Sequence, residues 1–88
     1  MVSQEVVIKN RAGIHARPAA LLVQRANSFE SQIFIQKGDD QINAKSIMGI
    51  LALGAGFKTS LQIIAEGNDE QEAVEALVQL FENRFEEE

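Results

Sequence analysis

The chain has 88 residues, 45% of them hydrophobic and none of them cysteine, and its formal net charge at pH 7 is -5. This length predicts one domain over residues 1–88, with one hydrophobic core and no disulfide or thiolate metal site. The acidic balance and the scattered basic residues argue against a nucleic-acid-binding protein. No stretch approaches the roughly 20 apolar residues of a membrane helix, so we expect a cytoplasmic protein without membrane insertion.

The first half of the chain predicts a strand, a helix and a hairpin. Apolar and polar residues alternate over residues 2–9, which is typical of a strand. Helical spacing follows over residues 16–27. The apolar stripe of this helix consists of Ala19, Leu22, Val23 and Ala26. Two further alternating segments, residues 32–37 and 41–44, flank a tight turn and predict a hairpin.

The second helix is predicted to be short and apolar on all sides. It follows Ser46, a residue type favoured at the N-cap, and ends at Gly54. A helix on the outside of one core buries a single face. We therefore expect Ile50 and Leu53 in the core. Some of the other apolar residues should face water or a partner, namely Ile47, Met48 and Leu51.

The last part of the chain predicts a strand and a helix. Residues 59–66 alternate, and the inward residues are Leu61, Ile63 and Ala65. Asp69 and Glu72 have the spacing of a capping box, which opens a helix that reaches about residue 84. Its predicted core residues are Val74, Leu77, Phe81 and Phe85, and residues 86–88 should fray. The order β-α-β-β-α-β-α predicts an α+β fold, a four-stranded antiparallel sheet with three helices on one face.

The most specific pattern lies at the start of the first helix, in residues 13–19, which include the only histidine and the only proline of the chain. Proline is tolerated in a first helical turn because the amide it lacks has no partner there, so Pro18 places His15 at the N-cap. First-turn amides and the positive end of the helix dipole bind anions and oppose a positive charge on the ring. A neutral imidazole is a nucleophile, and Arg17 is close enough in sequence to hold the oxygens of a phosphoryl group.

Residues 13–19, Gly-Ile-His-Ala-Arg-Pro-Ala, closely resemble the active-site signature of the HPr family, the histidine-containing phosphocarriers of the bacterial phosphoenolpyruvate:sugar phosphotransferase system. Residues 44–50 resemble the regulatory serine segment of this family, and residues 65–70 resemble the start of its last helix. The predicted order of elements is that of the family's open-faced β-sandwich. The resemblance therefore covers essentially the whole chain.

This resemblance implies a phosphocarrier and not an enzyme, acting as a monomer without a cofactor or metal. His15 resembles the residue that enzyme I phosphorylates at Nδ1 and that passes the phosphoryl group to sugar-specific IIA components, and Arg17 resembles the residue that contacts this group. Ser46 resembles the site of HPr kinase/phosphorylase in carbon catabolite regulation, which adds that kinase and a catabolite-control transcription regulator to the implied partners. We expect these partners to dock on apolar residues beside His15, namely Leu21, Ile47, Met48 and Leu51.

Charge is unevenly distributed along the chain, because much of the acidity lies toward its C-terminal end. We expect Arg11, Arg17 and Lys45 near His15, where they would attract an acidic partner. Ala12 stands where some members of the family have serine, and Arg11 adds a positive charge, so the preference among partners stays open.

Three other functions remain as alternatives. A nitrogen-branch or purely regulatory phosphocarrier of the same family would have the same residues. A small ligand-binding regulatory domain shares the order of elements, yet it does not need histidine at a helix start followed by arginine and proline. A hydrolase with His15 as general base requires an orienting carboxylate and a nucleophile, which the motif lacks.

Overall fold

The computed structural model describes residues 1–86, which form four strands and three α-helices. The strands are β1 (Val2–Val7), β2 (Gln32–Lys37), β3 (Asp40–Asn43) and β4 (Ser60–Glu66). The helices are α1 (Ala16–Ala26), α2 (Ile47–Ala52) and α3 (Glu70–Glu82), and a short 3-10 turn follows at Arg84–Glu86. Fraying was expected at residues 86–88. Glu86 belongs to the 3-10 turn, and residues 87 and 88 lie outside the described part.

The four strands form one antiparallel sheet in the order β1-β4-β2-β3. Alternation along β2 and β4 places Ile33 opposite Ala65 and Ile35 opposite Ile63, and all four side chains are buried. α3 packs on β1 and β4, and α1 contacts both α2 and α3. The predicted α+β fold, with a four-stranded antiparallel sheet and three helices, is confirmed.

The helices bury the faces that the sequence predicted. In α1, Ala19, Leu22 and Ala26 are fully buried and Val23 is partly buried. Ile50, which lies in α2, and Leu53, which directly follows it, are both buried. Because α2 lies on the outside of the core, its other apolar residues stay in contact with water, as described below.

The end of α3 differs from its prediction. The helix ends at Glu82, and the next residues, Arg84 to Glu86, have left-handed backbone conformations with φ between 53° and 64°. This turn folds the chain back so that the ring of Phe85 packs edge-on against Phe81, with 4.9 Å between the ring centroids. Phe85 is therefore buried as predicted, but a turn and not the helix places it there.

The start of α3 also differs, and the predicted capping box of Asp69 and Glu72 is wrong. Asp69 occupies the N-cap position, but its carboxylate does not cap the helix. It accepts hydrogen bonds from the amide of Glu30 at 2.9 Å and from the amide and hydroxyl of Ser31. The tertiary fold brings these three donors to the carboxylate, and they satisfy it in place of the local amides. The Ser31 hydroxyl and then the Glu30 amide lower the pKa of the Asp69 carboxyl.

α3 is the longest helix, with 13 residues. Among the helices of residues 1–86, none has the length and apolar character needed to cross a bilayer.

Candidate functional site

His15 is the N-cap of α1, as the sequence predicted. Its backbone is extended, with φ at -95° and ψ at -165°, and its carbonyl oxygen accepts a hydrogen bond from the Ala19 amide at 3.0 Å. The residue is exposed. An imidazole in this position is accessible to a large partner, which a group that exchanges phosphate between proteins requires.

The first turn of α1 is arranged to receive an anion. Pro18 is its third residue and is buried, so the first-turn amides are those of Ala16 and Arg17, which have no acceptor within the helix. No acidic residue lies in this turn, whereas Arg25 lies in the last turn. A negative group beside His15 therefore meets amide donors and the positive end of the dipole without a competing carboxylate on the same turn.

Gly13 positions the loop that leads to His15. Its φ is +73°, and a Cβ atom there would lie 2.9 Å from both the carbonyl oxygen of Ala55 and the Cα of Gly56. The next amide, that of Ile14, donates to the Ala55 carbonyl at 3.0 Å, and Asn10 Nδ2 donates to the Gly13 carbonyl at 2.7 Å. The glycine therefore permits a close backbone contact.

The segment after α2 is thus part of the site, which the sequence analysis missed. Residues 54–56 have the sequence Gly-Ala-Gly, and only Gly54 was given a role, as the end of the second helix. Two glycines around a small residue are, however, a signal of close backbone approach. Ala55 is buried, and its carbonyl oxygen fixes the start of the His15 loop through Ile14.

Ser46 is the N-cap of α2, as predicted. Its hydroxyl oxygen accepts a hydrogen bond from the Gly49 amide at 3.1 Å, and its carbonyl oxygen accepts from Ile50 at 3.1 Å. At the other end of α2, Lys37 Nζ donates to the carbonyl of Leu53 at 3.0 Å. Both ends of this short helix are therefore satisfied by side chains.

Helices α1 and α2 are in contact and run in opposite directions. The residue before Ser46, Lys45, donates through Nζ to the carbonyl of Phe29 at 2.8 Å, just beyond the C-terminal end of α1. The residues after α2 contact the loop before α1 at Gly13. Ser46 therefore lies at the end of α2 away from His15. Lys45 lies at this far end too, so the expectation that it lies near His15 is wrong.

Three large apolar side chains of α2 are exposed to solvent. The exposed fraction is 74% for Met48 and 39% for both Ile47 and Leu51. We call these three residues the α2 patch. Leu21 of α1, the fourth residue expected on the docking surface, is partly buried and packs against the core. Within residues 1–86 there is no cluster of three or more acidic, histidine or cysteine residues that could hold a metal ion.

Comparison with known proteins agrees with this geometry. A family model described as "PTS HPr component phosphorylation site" matches residues 2–83. The chain belongs to the HPr family. Phosphocarrier protein HPr of Treponema pallidum (strain Nichols) is 50% identical over 88 residues, with complete coverage of both chains. HPr-like protein Crh of Halalkalibacterium halodurans is 52% identical over 82 residues, which cover 93% of this chain and 98% of Crh.

A solved structure of the family has the same fold over the whole chain. The crystal structure of HPr-C-His from Thermoanaerobacter tengcongensis matches with a TM-score of 0.97 and 51% identity, covering 100% of this chain and 99% of that one. The resemblance found from residues 13–19 is thereby confirmed. Membership of the HPr family makes the chain a phosphocarrier protein of the phosphotransferase system.

Proposed function

We propose that residues 1–88 act as one cytoplasmic, monomeric phosphocarrier domain whose phosphorylated residue is His15. It accepts a phosphoryl group from phosphorylated enzyme I and passes it to sugar-specific IIA components. The observation that supports this best is the exposed imidazole at the N-cap of α1, beside the first-turn amides of Ala16 and Arg17. Family membership supports the same role.

The transfer itself needs little from this chain. The lone pair of His15 Nδ1 attacks the phosphorus, and the bond from phosphorus to the donor atom breaks, leaving its electron pair on the donor. An atom of the acceptor then attacks the phosphorus, and the bond from phosphorus to Nδ1 breaks, so that the lone pair returns to Nδ1. The amides and the dipole stabilise the bound phosphoryl group, and Arg17, which is exposed, holds its oxygens. Because these contacts are few, the group is held firmly enough to exist and weakly enough to leave. The partners supply the catalytic groups.

We propose the α2 patch as the apolar part of the docking surface. Its residues are exposed although they are large and apolar, and α2 ends beside the loop that contains Gly13. Exposed apolar surface next to a reactive group is typical of a protein interface. Leu21, which is partly buried at one side of α1, adds to this surface at its edge.

We propose Ser46 as the regulatory site of HPr kinase/phosphorylase, with a catabolite-control transcription regulator as reader of the modified form. The hydroxyl is half-buried and directly precedes Ile47 and Met48. A phosphate here adds about -1.5 to -2 charge beside the α2 patch. Because Ser46 lies at the far end of α2 from His15, the phosphate acts on partner docking and does not touch the imidazole.

A purely regulatory carrier is a second candidate, since the chain is about as similar to an HPr-like protein Crh as to an HPr. The deciding experiment incubates the protein with phosphoenolpyruvate and enzyme I and follows ³¹P NMR and mass. We expect one acid-labile phosphate on wild type and none on His15→Ala. Onward transfer to a IIA component distinguishes transport from regulation. A wild-type protein that stays unphosphorylated under these conditions contradicts the carrier function.

A further inference from the structure

A concave surface lies outside the His15 site. A groove of about 600 Å³ is lined by Val7, Ile8, Lys9, Arg11, Phe57, Lys58 and Arg84. It is formed where the end of β1, the loop before His15, the loop before β4 and the turn after α3 meet. A volume of this size is within the range of small-molecule sites.

The charge of this groove contrasts with that of the whole protein. The chain has eight basic residues and a net charge of -5, yet four of the eight line this one groove, and none of the seven lining residues is acidic. Lys9 forms an ion pair with Glu82 at 2.6 Å. Arg11, Lys58 and Arg84 take part in neither of the two ion pairs found among residues 1–86. Three guanidinium or ammonium groups are therefore available to an anion.

Two of these cationic residues are held in backbone conformations that side chains rarely adopt. Lys58 has φ at 70° and Arg84 has φ at 55°. The amide of Lys58 donates to the carbonyl of Ile8 at 2.8 Å, so the strained residue is fixed against the end of β1. Strain of this kind is concentrated at binding sites, where the fold holds a side chain in a required place.

The groove also has an apolar wall. Phe57 is 46% exposed and Val7 is 38% exposed. The ammonium of Lys58 lies 5.4 Å from the centroid of the Phe57 ring. An aromatic ring with cations around it suits a ligand that has both an anionic group and a flat or apolar portion.

We propose that this groove binds a small phosphate monoester, with the phosphate held by Arg11, Lys58 and Arg84 and the apolar portion packed on Phe57. Arginine and lysine form charge-assisted hydrogen bonds with phosphate oxygens, and a dianion offsets the repulsion between neighbouring cations. The site shares its loops with the His15 site, since Arg11 is two residues before Gly13 and Phe57 follows Gly56. Binding here is nevertheless separate from phosphoryl transfer and does not depend on it.

The test is a titration of ¹⁵N-labelled full-length protein with adenosine 5′-monophosphate, inorganic phosphate and adenosine, all at one ionic strength. We expect saturable shifts of the amides of residues 9–11, 57–58 and 84 with the monophosphate. Inorganic phosphate should bind more weakly because it lacks the apolar portion, and adenosine should not bind. Equal affinity for inorganic phosphate and the monophosphate, or absence of saturable shifts at these amides, overturns the proposal.

Variants separate this site from general charge attraction. Arg11→Gln combined with Lys58→Gln should raise the Kd for the monophosphate at least about tenfold. Arg25→Gln, which removes a basic side chain from the last turn of α1, should leave it unchanged. Lys58→Gly removes the ammonium and relieves the strain of the positive φ, so this variant should fold as well as wild type. It should nevertheless bind the monophosphate more weakly than wild type does. An equal loss of affinity in Arg25→Gln contradicts a defined site.

Discussion

Gly13 lies so close to Ala55 that a Cβ atom on the glycine would be 2.9 Å from the alanine carbonyl oxygen. The contact joins the loop before α1 to the segment after α2, and it sets the direction in which the chain reaches His15. The same carbonyl accepts the Ile14 amide, so this contact and the hydrogen bond depend on one another. The position of the reactive ring is therefore decided by residues that do not take part in its chemistry.

Gly13→Ala is expected to damage both stability and phosphorylation. Gly38→Ala is the matched control, because Gly38 also has a positive φ, +59°, but has nothing within 4 Å of its missing Cβ. The control should lower the free energy of unfolding by about 1–2 kcal/mol through its backbone conformation. Gly13→Ala should lower it by a further 1 to 3 kcal/mol or so through the clash and should slow enzyme I-dependent phosphorylation. If urea unfolding shows the same loss of unfolding free energy in Gly13→Ala and Gly38→Ala, the close contact at Gly13 adds no destabilisation.

Two substitutions of Ser46 are expected to distinguish its capping role from its regulatory role. Ser46→Ala loses the acceptor for the Gly49 amide and should lower the free energy of unfolding by about 0.5–2 kcal/mol. Ser46→Asp keeps an acceptor, so it should stay near wild type in stability while the added charge slows phosphorylation by enzyme I. Gln71→Asp, on the exposed face of α3, controls for net charge. A rate for Ser46→Asp equal to that of this control argues against the regulatory role.

The α2 patch is expected to determine transfer rates. Met48→Asp places a charge at its most exposed residue and should lower the rate of phosphoryl transfer from enzyme I by about tenfold, with little change in stability. Met48→Leu keeps an apolar side chain and should stay within about twofold of wild type. Rapid-quench measurement of phosphorylated protein compares them. Unchanged transfer in Met48→Asp would remove this helix from the proposed docking surface.

Asp69 is expected to make stability depend on pH in the acid range. Hydrogen bonds lower its pKa from the usual 3.8, and those from the Gly67 amide and the N-terminal ammonium lower that of Glu70 from 4.5. A lowered pKa in the folded state contributes stability above the ordinary value, which is lost as the pH falls through the folded value. Urea unfolding should therefore show stability level near pH 7 and falling below about pH 4.5.

Asp69→Asn tests the carboxylate directly. The side-chain amide of asparagine has a single acceptor oxygen, whereas the Asp69 carboxylate accepts at both of its oxygens. The variant should therefore be less stable at pH 7 and should lose less stability on acidification. Asp39→Asn, in the exposed turn between β2 and β3, is the control and should follow the wild-type curve. If Asp69→Asn also follows that curve, the link between α3 and the segment at Ser31 contributes nothing to folding.

Phe85 is expected to be a main anchor of the C-terminal turn. It is fully buried and packs on Phe81, so Phe85→Ala should lower the free energy of unfolding by about 3–5 kcal/mol. Phe57→Ala is the control, because that ring is half-exposed and its removal leaves no cavity in the core. Calorimetry and urea unfolding measure both. A small effect of Phe85→Ala would mean that the turn can open without loss of the core.

Periodicity and residue type determined most of the secondary structure and the reactive end of α1. Alternation predicts the strands because side chains of a strand point to opposite faces, and the single proline predicts where the helix begins because proline lacks an amide. These are local rules, so His15 and Ser46 are found as N-caps without any knowledge of the fold. The exposed members of α2 follow from the same reasoning, since one helix on a small core buries one face.

The tertiary structure decided what depends on residues far apart in the chain. Asp69 takes its hydrogen bonds from Glu30 and Ser31, which lie 38 or 39 positions away, and a local capping rule has no access to them. Packing also turned Lys45 away from His15, fixed Gly13 against Ala55 and gathered four scattered cations into one groove. Such contacts form only when the sheet and helices bury their apolar faces together, because burial sets which polar groups meet.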